Sequence, residues 1–118
     1  PSRFLHALAP TTYHEAIPGH HFQIALEMEL EFLPDLRKHA SHLAGNAYVE
    51  GWGLYSERLA DELGLYRNEM ERFGMLQGQA HRAARLVVDT GLHAVGWSRD
   101  KGVEFMESVG LPRTDAEI

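Results

Sequence analysis

The chain has 118 residues, a formal net charge of −6 at pH 7 and no cysteine, with 44% hydrophobic and 24% charged residues, a make-up and size suited to one globular unit. The missing cysteine excludes a disulfide framework, so any metal must be held by histidine and carboxylates. The eleven Lys and Arg are scattered along an acidic chain, which argues against nucleic acid as a partner because phosphate binding needs clustered cations. No apolar run approaches the roughly 20 residues of a membrane-spanning helix.

Thr12 and Glu15 have the spacing of a capping box and precede apolar Ile17, Phe22, Ile24, Leu26, Met28 and Leu30. A helix is therefore expected from about residue 12 to about residue 32. Pro18 disturbs it, because proline has no N–H and its ring clashes with the carbonyl four residues back, that of His14. LPDL and RKHASH then read as a connection to Gly45-Asn46, where Asn46 can cap a second helix through YVEGWGLYSERLADEL that stops at Gly64. A third helix begins near Tyr66 and runs to His93 without proline. Ser98 caps a fourth, RDKGVEFMESV, which ends at Gly110 with Pro112 shortly after. No alternating β-branched run is long enough to require a sheet, so the chain reads as all-α, a single helical segment over 1–118. The first residue is Pro, and a capping box at Thr114 and Glu117 leads into a new helix. The segment is thus expected to be a piece of a longer protein, with the remainder of that chain as its partner.

Chemistry concentrates in HEAIPGHHFQ, residues 14–23. In the common zincin helix two histidines four residues apart bind Zn2+, and the Glu between them is the general base. His14 and Glu15 keep the first half of that arrangement. On an unbroken helix His21 would face the same way as His14 but about 10.5 Å along the axis, a long reach for one ion. A bulge at Pro18-Gly19 that adds two residues would instead bring His20 to the usual i+4 place. Bulges collect at functional sites, and glycine tolerates the backbone they need, so His20 is preferred to His21. Two imidazoles leave a catalytic zinc one protein ligand short. Glu50 in YVEGWGLYSE can supply the third from another helix, with Gly51 allowing a close approach. Glu57, seven residues further on the same face, is an alternative ligand or a group that orients one.

HEAIPGHHFQ followed by EGWGLYSE resembles the bacterial domain of unknown function 885 family, metallopeptidases related to the gluzincins. VEGWGLYSE is also similar to the Asn-Glu-Gly-aromatic segment through which gluzincin aminopeptidases supply their third zinc ligand. The resemblance implies His14, His20 and Glu50 as zinc ligands and Glu15 as general base. It continues through RAARLVVDTGLHAVGWS and so covers residues 12 to about 106. Family members are far longer, which implies that part of the substrate cleft lies outside this segment. Gly53 stands where relatives often carry Ala, which reads as a small-for-small exchange of little consequence.

The third helix carries a polar column, His81, Arg85, Asp89 and His93, spaced four apart on one face. Asp89 could accept from Arg85 and His93, and is a candidate to hold the second ring nitrogen of a ligand histidine. A peptidase also needs a donor for the oxygen that turns negative during attack; His93, then Arg85 or Tyr55, are the candidates. Gln23 reads as a surface amide or one behind a ligand, His81 as the wet face of its helix, and His6, His39 and His42 as solvated. Trp52, Trp97 and Phe105 read as core.

These features point to a zinc-dependent hydrolase acting on a peptide substrate. A non-catalytic helical module with a structural or relic metal site, and a hydrolase of esters or non-peptide amides, are the alternatives.

Overall fold

In the computed structural model, residues 4–39 and 46–117 are described, and among them the chain is all-α, as expected, with no strand. A 3-10 turn at Leu5–Ala7 leads into α1 (Leu8–Glu15), α2 (His20–Glu29), α3 (Asp35–His39), α4 (Asn46–Glu62), α5 (Glu69–His93), α6 (Arg99–Ser108) and α7 (Arg113–Ala116). Gly45 and His42 lie outside the described residues. No described helix is long and apolar enough to cross a membrane. Residues up to Met75 form one compact unit and those from Leu76 onward a second.

In the first unit, the expected helix over 12–32 is two helices. The first starts earlier, at Leu8, because Pro10 falls in the first turn, where a missing N–H is no loss. Thr12 is therefore inside α1 rather than its cap, and its hydroxyl donates back to the Leu8 carbonyl at 2.8 Å, the usual arrangement for a mid-helix threonine. At Pro18 the helix opens completely over residues 16–19 and restarts at His20; the expected bulge is a full break. The offset is nevertheless two residues, since the Phe22 N–H donates to the Ala16 carbonyl at 3.3 Å, six positions back instead of four. Gly19 is obligatory in this break: a Cβ there would lie 1.8 Å from the His14 carbonyl oxygen and 2.4 Å from that of Tyr13.

α4 lies against α1 through Gly53, Ser56, Glu57 and Ala60, the buried residues of that helix, whose i, i+3, i+4, i+7 spacing puts them on one face. The small side chains permit a close approach. Ser56 Oγ lies 3.0 Å from the Tyr13 carbonyl oxygen and 2.7 Å from that of Gly53. Trp52 is only partly buried rather than core, and its indole N–H donates to the Pro18 carbonyl at 2.8 Å and reaches that of Gly19 at 3.3 Å. One α4 side chain thus pins the break between α1 and α2. Residues 35–39, read as connection, form the short α3 after Pro34, whose carbonyl accepts from Arg37 N at 2.8 Å.

α4 ends as expected near Gly64, which has φ +67. α5 begins three residues later than expected, because Asn68 is its cap: the Asn68 side chain accepts from Glu71 N at 3.0 Å, while Glu71 accepts from Arg67 N at 2.9 Å. Met75 is fully buried, a contribution of about 1.5–3 kcal/mol for a side chain of that kind.

The second unit packs Ala84, Met106 and Leu111 as its core, flanked by Val88, Phe105 and Ala116. Ser98 caps α6 by accepting from Lys101 N at 3.2 Å, and Gly110 follows the helix with φ +91. The Trp97 ring is 5.9 Å from that of Phe105, with the Lys101 ammonium 4.2 Å from its centre. α7 starts at Arg113 with Pro112 as its cap, so Thr114 lies inside that helix and does not cap it.

Candidate metal centre

The break sets the site. His14 occupies the last turn of α1 and is buried; His20 is the first residue of α2. Opening the helix for four residues brings their rings edge to face, with centroids 4.7 Å apart. Glu50, from the first turns of α4, completes the group: His14 Nε2 is 3.5 Å from its Oε2 and His20 Nε2 is 3.9 Å from its Oε1. One ligand atom from each of the three lies within 4.8 Å of the others. His14, His20 and Glu50 could therefore hold a metal ion. His21 is exposed and stands outside the group.

The donor set fits zinc. Two ligands about 2.0–2.1 Å from a tetrahedral ion are roughly 3.3 Å apart, close to the 3.5 and 3.9 Å separations found. Two imidazoles and a carboxylate, with no sulfur, are donors that zinc accepts.

The orientation of His14 is fixed from behind. Its Nδ1 lies 2.7 Å from Glu57 Oε1, and Glu57 is only 2% exposed. A ring nitrogen donating to a carboxylate fixes the tautomer and leaves the other nitrogen its lone pair for a metal. Glu57 thus holds the ring of His14, a residue that could bind a metal ion. Asp89, the candidate for that task, instead pairs with His93 at 3.5 Å in the second unit, where both are exposed. The Tyr66 hydroxyl donates to the Glu57 carbonyl at 3.1 Å; burial first, and then the Glu57 carboxylate, push its pKa well above the usual phenol value.

Gly53 lies against both histidine rings. A Cβ there would lie 2.5 Å from His14 Nε2 and 2.8 Å from His20 Cε1. The exchange with Ala, read as inconsequential, is a steric conflict in this packing. Gly51, expected to allow the close approach, has nothing within 4 Å of its Cβ position.

The remaining candidates are placed as follows. Glu15 ends α1 and is exposed. Tyr55 on α4 is 49% exposed, its ring 5.8 Å from that of Trp52. Arg85 and His93 belong to the second unit. There Arg85 lines a cavity of about 670 Å³ together with His81, Asp89, Arg99 and Asp115. His81, read as solvated, is partly buried, and burial, then Arg85 and Arg82, lower its pKa below the usual histidine value.

The surface alternative for Gln23 is overturned by its burial, and Glu27 and Tyr48 were not singled out from the sequence. Gln23 and Glu27 are each only 6% exposed, and the Tyr48 hydroxyl donates to Glu27 Oε1 at 2.5 Å. The available signal was polar residues at 20, 23 and 27, on one face of a helix.

The profile of a family described as "Bacterial protein of unknown function (DUF885)" matches residues 1–117. No curated protein matches the chain. The chain is similar to the crystal structure of "the putative lipoprotein from Colwellia psychrerythraea", with 47% identity and a TM-score of 0.83 over 95% of this chain and 19% of that one. It therefore spans about a fifth of that structure's length. With motif and helices in the same segment, the chain belongs to the DUF885 family of bacterial proteins.

Proposed function

We propose that this chain carries the metal site of a zinc-dependent hydrolase that cleaves peptide bonds. The observation that carries the reading is the convergence of His14, His20 and Glu50, from three helices, on one small volume. When bound, zinc would acidify a water and polarise the substrate carbonyl. His14 and His20 would hold the metal through Nε2, and Glu57 keeps the His14 ring in place. Glu15, next to His14 and open to solvent at the end of α1, takes the attacking water's proton on its carboxylate and passes it to the leaving amine. Tyr55, on the same helix as Glu50, is the proposed donor to the developing oxyanion. The preference for peptides rests on the likeness of HEAIPGHHFQ and EGWGLYSE to gluzincin motifs. The chain matches 19% of the Colwellia structure, so the rest of the cleft is proposed to lie in the rest of the protein.

The test is Glu15→Gln in the full chain, assayed for bound zinc and for turnover of a peptide library. The reading predicts unchanged zinc and a fall in rate of about 10²–10⁴-fold. Loss of zinc would make Glu15 a ligand, and unchanged turnover would remove the mechanism.

A further inference from the structure

Four polar atoms beside the metal centre are sealed from solvent and have no hydrogen-bond partner among the described residues: His20 Nδ1, Gln23 Oε1, Gln23 Nε2 and Glu27 Oε2. They belong to three residues of α2 spaced i, i+3 and i+7, so each side chain neighbours the next along one helix face. Buried polar groups are almost always satisfied, and each exception calls for an explanation. Because these atoms are already closed off, a partner must come from within.

Their chemistry supplies one. With a metal on Nε2, neutral His20 carries its remaining proton on Nδ1 and is a donor there. Gln23 Oε1 is an acceptor, Gln23 Nε2 a donor, and Glu27 Oε2 an acceptor. Taken in order along the helix, donors and acceptors alternate without a mismatch. The far end is already tied, since Glu27 Oε1 accepts from the Tyr48 hydroxyl at 2.5 Å. Tyr48 lies two residues before Glu50 on α4, so the chain of groups begins and ends at elements that carry metal ligands.

Resting on the zinc reading above, we propose that Gln23 is a positioning residue for the metal: it takes the His20 Nδ1 proton on its Oε1 and donates through Nε2 to the Glu27 carboxylate, each link direct or through one buried water. His14 and His20 are then held by two separate carboxylates, Glu57 directly and Glu27 through the Gln23 amide. A ligand histidine generally donates its second ring nitrogen to such a group, and losing that group weakens metal binding about 10–100-fold.

The experiment compares zinc affinity, by competition with a chromophoric chelator, in full-length wild type, Gln23→Met and Gln23→Glu. Methionine keeps the length and removes both hydrogen-bonding atoms; glutamate keeps an acceptor for His20. The expected result is a loss of about tenfold or more in Gln23→Met, restored to within about threefold in Gln23→Glu. Thermal midpoints of the metal-free proteins confirm that each variant is folded: Gln23→Met should melt somewhat below wild type, because it leaves His20 Nδ1 and Glu27 Oε2 without the amide, and the recovery of zinc affinity in Gln23→Glu is the readout that a merely structural role would not give. Equal zinc affinity in wild type and Gln23→Met would overturn the inference while leaving the zinc site intact. A wild type that binds no zinc would overturn both. A zinc-bound crystal structure gives a reading without any substitution: His20 Nδ1 must reach Gln23 Oε1 directly or through one water, and a different partner there would overturn the assignment.

Discussion

His14 Nδ1 and Glu57 Oε1 meet at 2.7 Å, with both side chains almost wholly withdrawn from solvent. Glu57→Ala leaves the His14 ring nitrogen without that acceptor. The expected cost is about 1–3 kcal/mol of stability and a fall in zinc affinity of about 10–100-fold. Glu57→Gln retains an acceptor oxygen and should lose less on both counts. Thermal unfolding and chelator competition read the two effects, and unchanged affinity in Glu57→Ala would show that His14 needs no support from Glu57.

Gly53→Ala should be far from neutral. Its Cβ would lie 2.5 Å from His14 Nε2, the atom assigned to the metal, so the rings must separate or the helices must move. Overpacking of this kind costs about 1–3 kcal/mol. Zinc affinity should fall by about tenfold or more as the ligand rings are displaced. Isothermal titration with zinc on the variant is the check, and a wild-type affinity would mean the packing relaxes without disturbing the ligands.

Trp52→Phe keeps the aromatic bulk and removes the indole donor that holds the Pro18 and Gly19 carbonyls. Loss of about 0.5–1.5 kcal/mol is expected. Faster amide exchange should appear at Gln23 and Phe22, whose N–H groups bond back across the break. Exchange confined to other helices would show that the break is held by something else.

His81 gives a prediction for pH. Its folded pKa is lowered from 6.5 by burial, then by Arg85 and Arg82, with Asp115 opposing. Between the lowered value and 6.5 the unfolded chain binds more protons, so stability rises with pH across that window. The contribution is complete above 6.5 and is lost as pH falls through the folded value. It is small, because the ring is partly exposed and screened by solvent. Urea midpoints measured from pH 8 down to pH 5 should fall further in wild type than in His81→Gln; parallel curves would contradict the shift.

The all-α class, the cap at Ser98 and the stops at Gly64 and Gly110 were legible because each depends on a local choice of residue. The grouping of His14, His20 and Glu50 was legible for a different reason: Pro18 must interrupt the helix, and counting two extra residues brings His20 round to the side of His14. The form of the interruption was not legible, because a bulge and a full break share that offset and Trp52, 34 residues away in sequence, holds the break. The same holds for Gly53 against Gly51 and for Glu57 against Asp89. In each case both residues suit the task, and the packing of α4 on α1 chooses between them. Thr12 and Thr114 misled because a capping pattern can also fall inside a helix that a proline has already allowed to start.

The most direct measurement of the central claim is zinc per chain after dialysis, by atomic emission, on the full-length wild type beside His20→Ala, His21→Ala and Glu50→Ala. The account predicts about one zinc per chain in wild type and in His21→Ala, and loss of it in His20→Ala and Glu50→Ala. Zinc retained without His20 or Glu50, or a folded wild type that binds none, would contradict it.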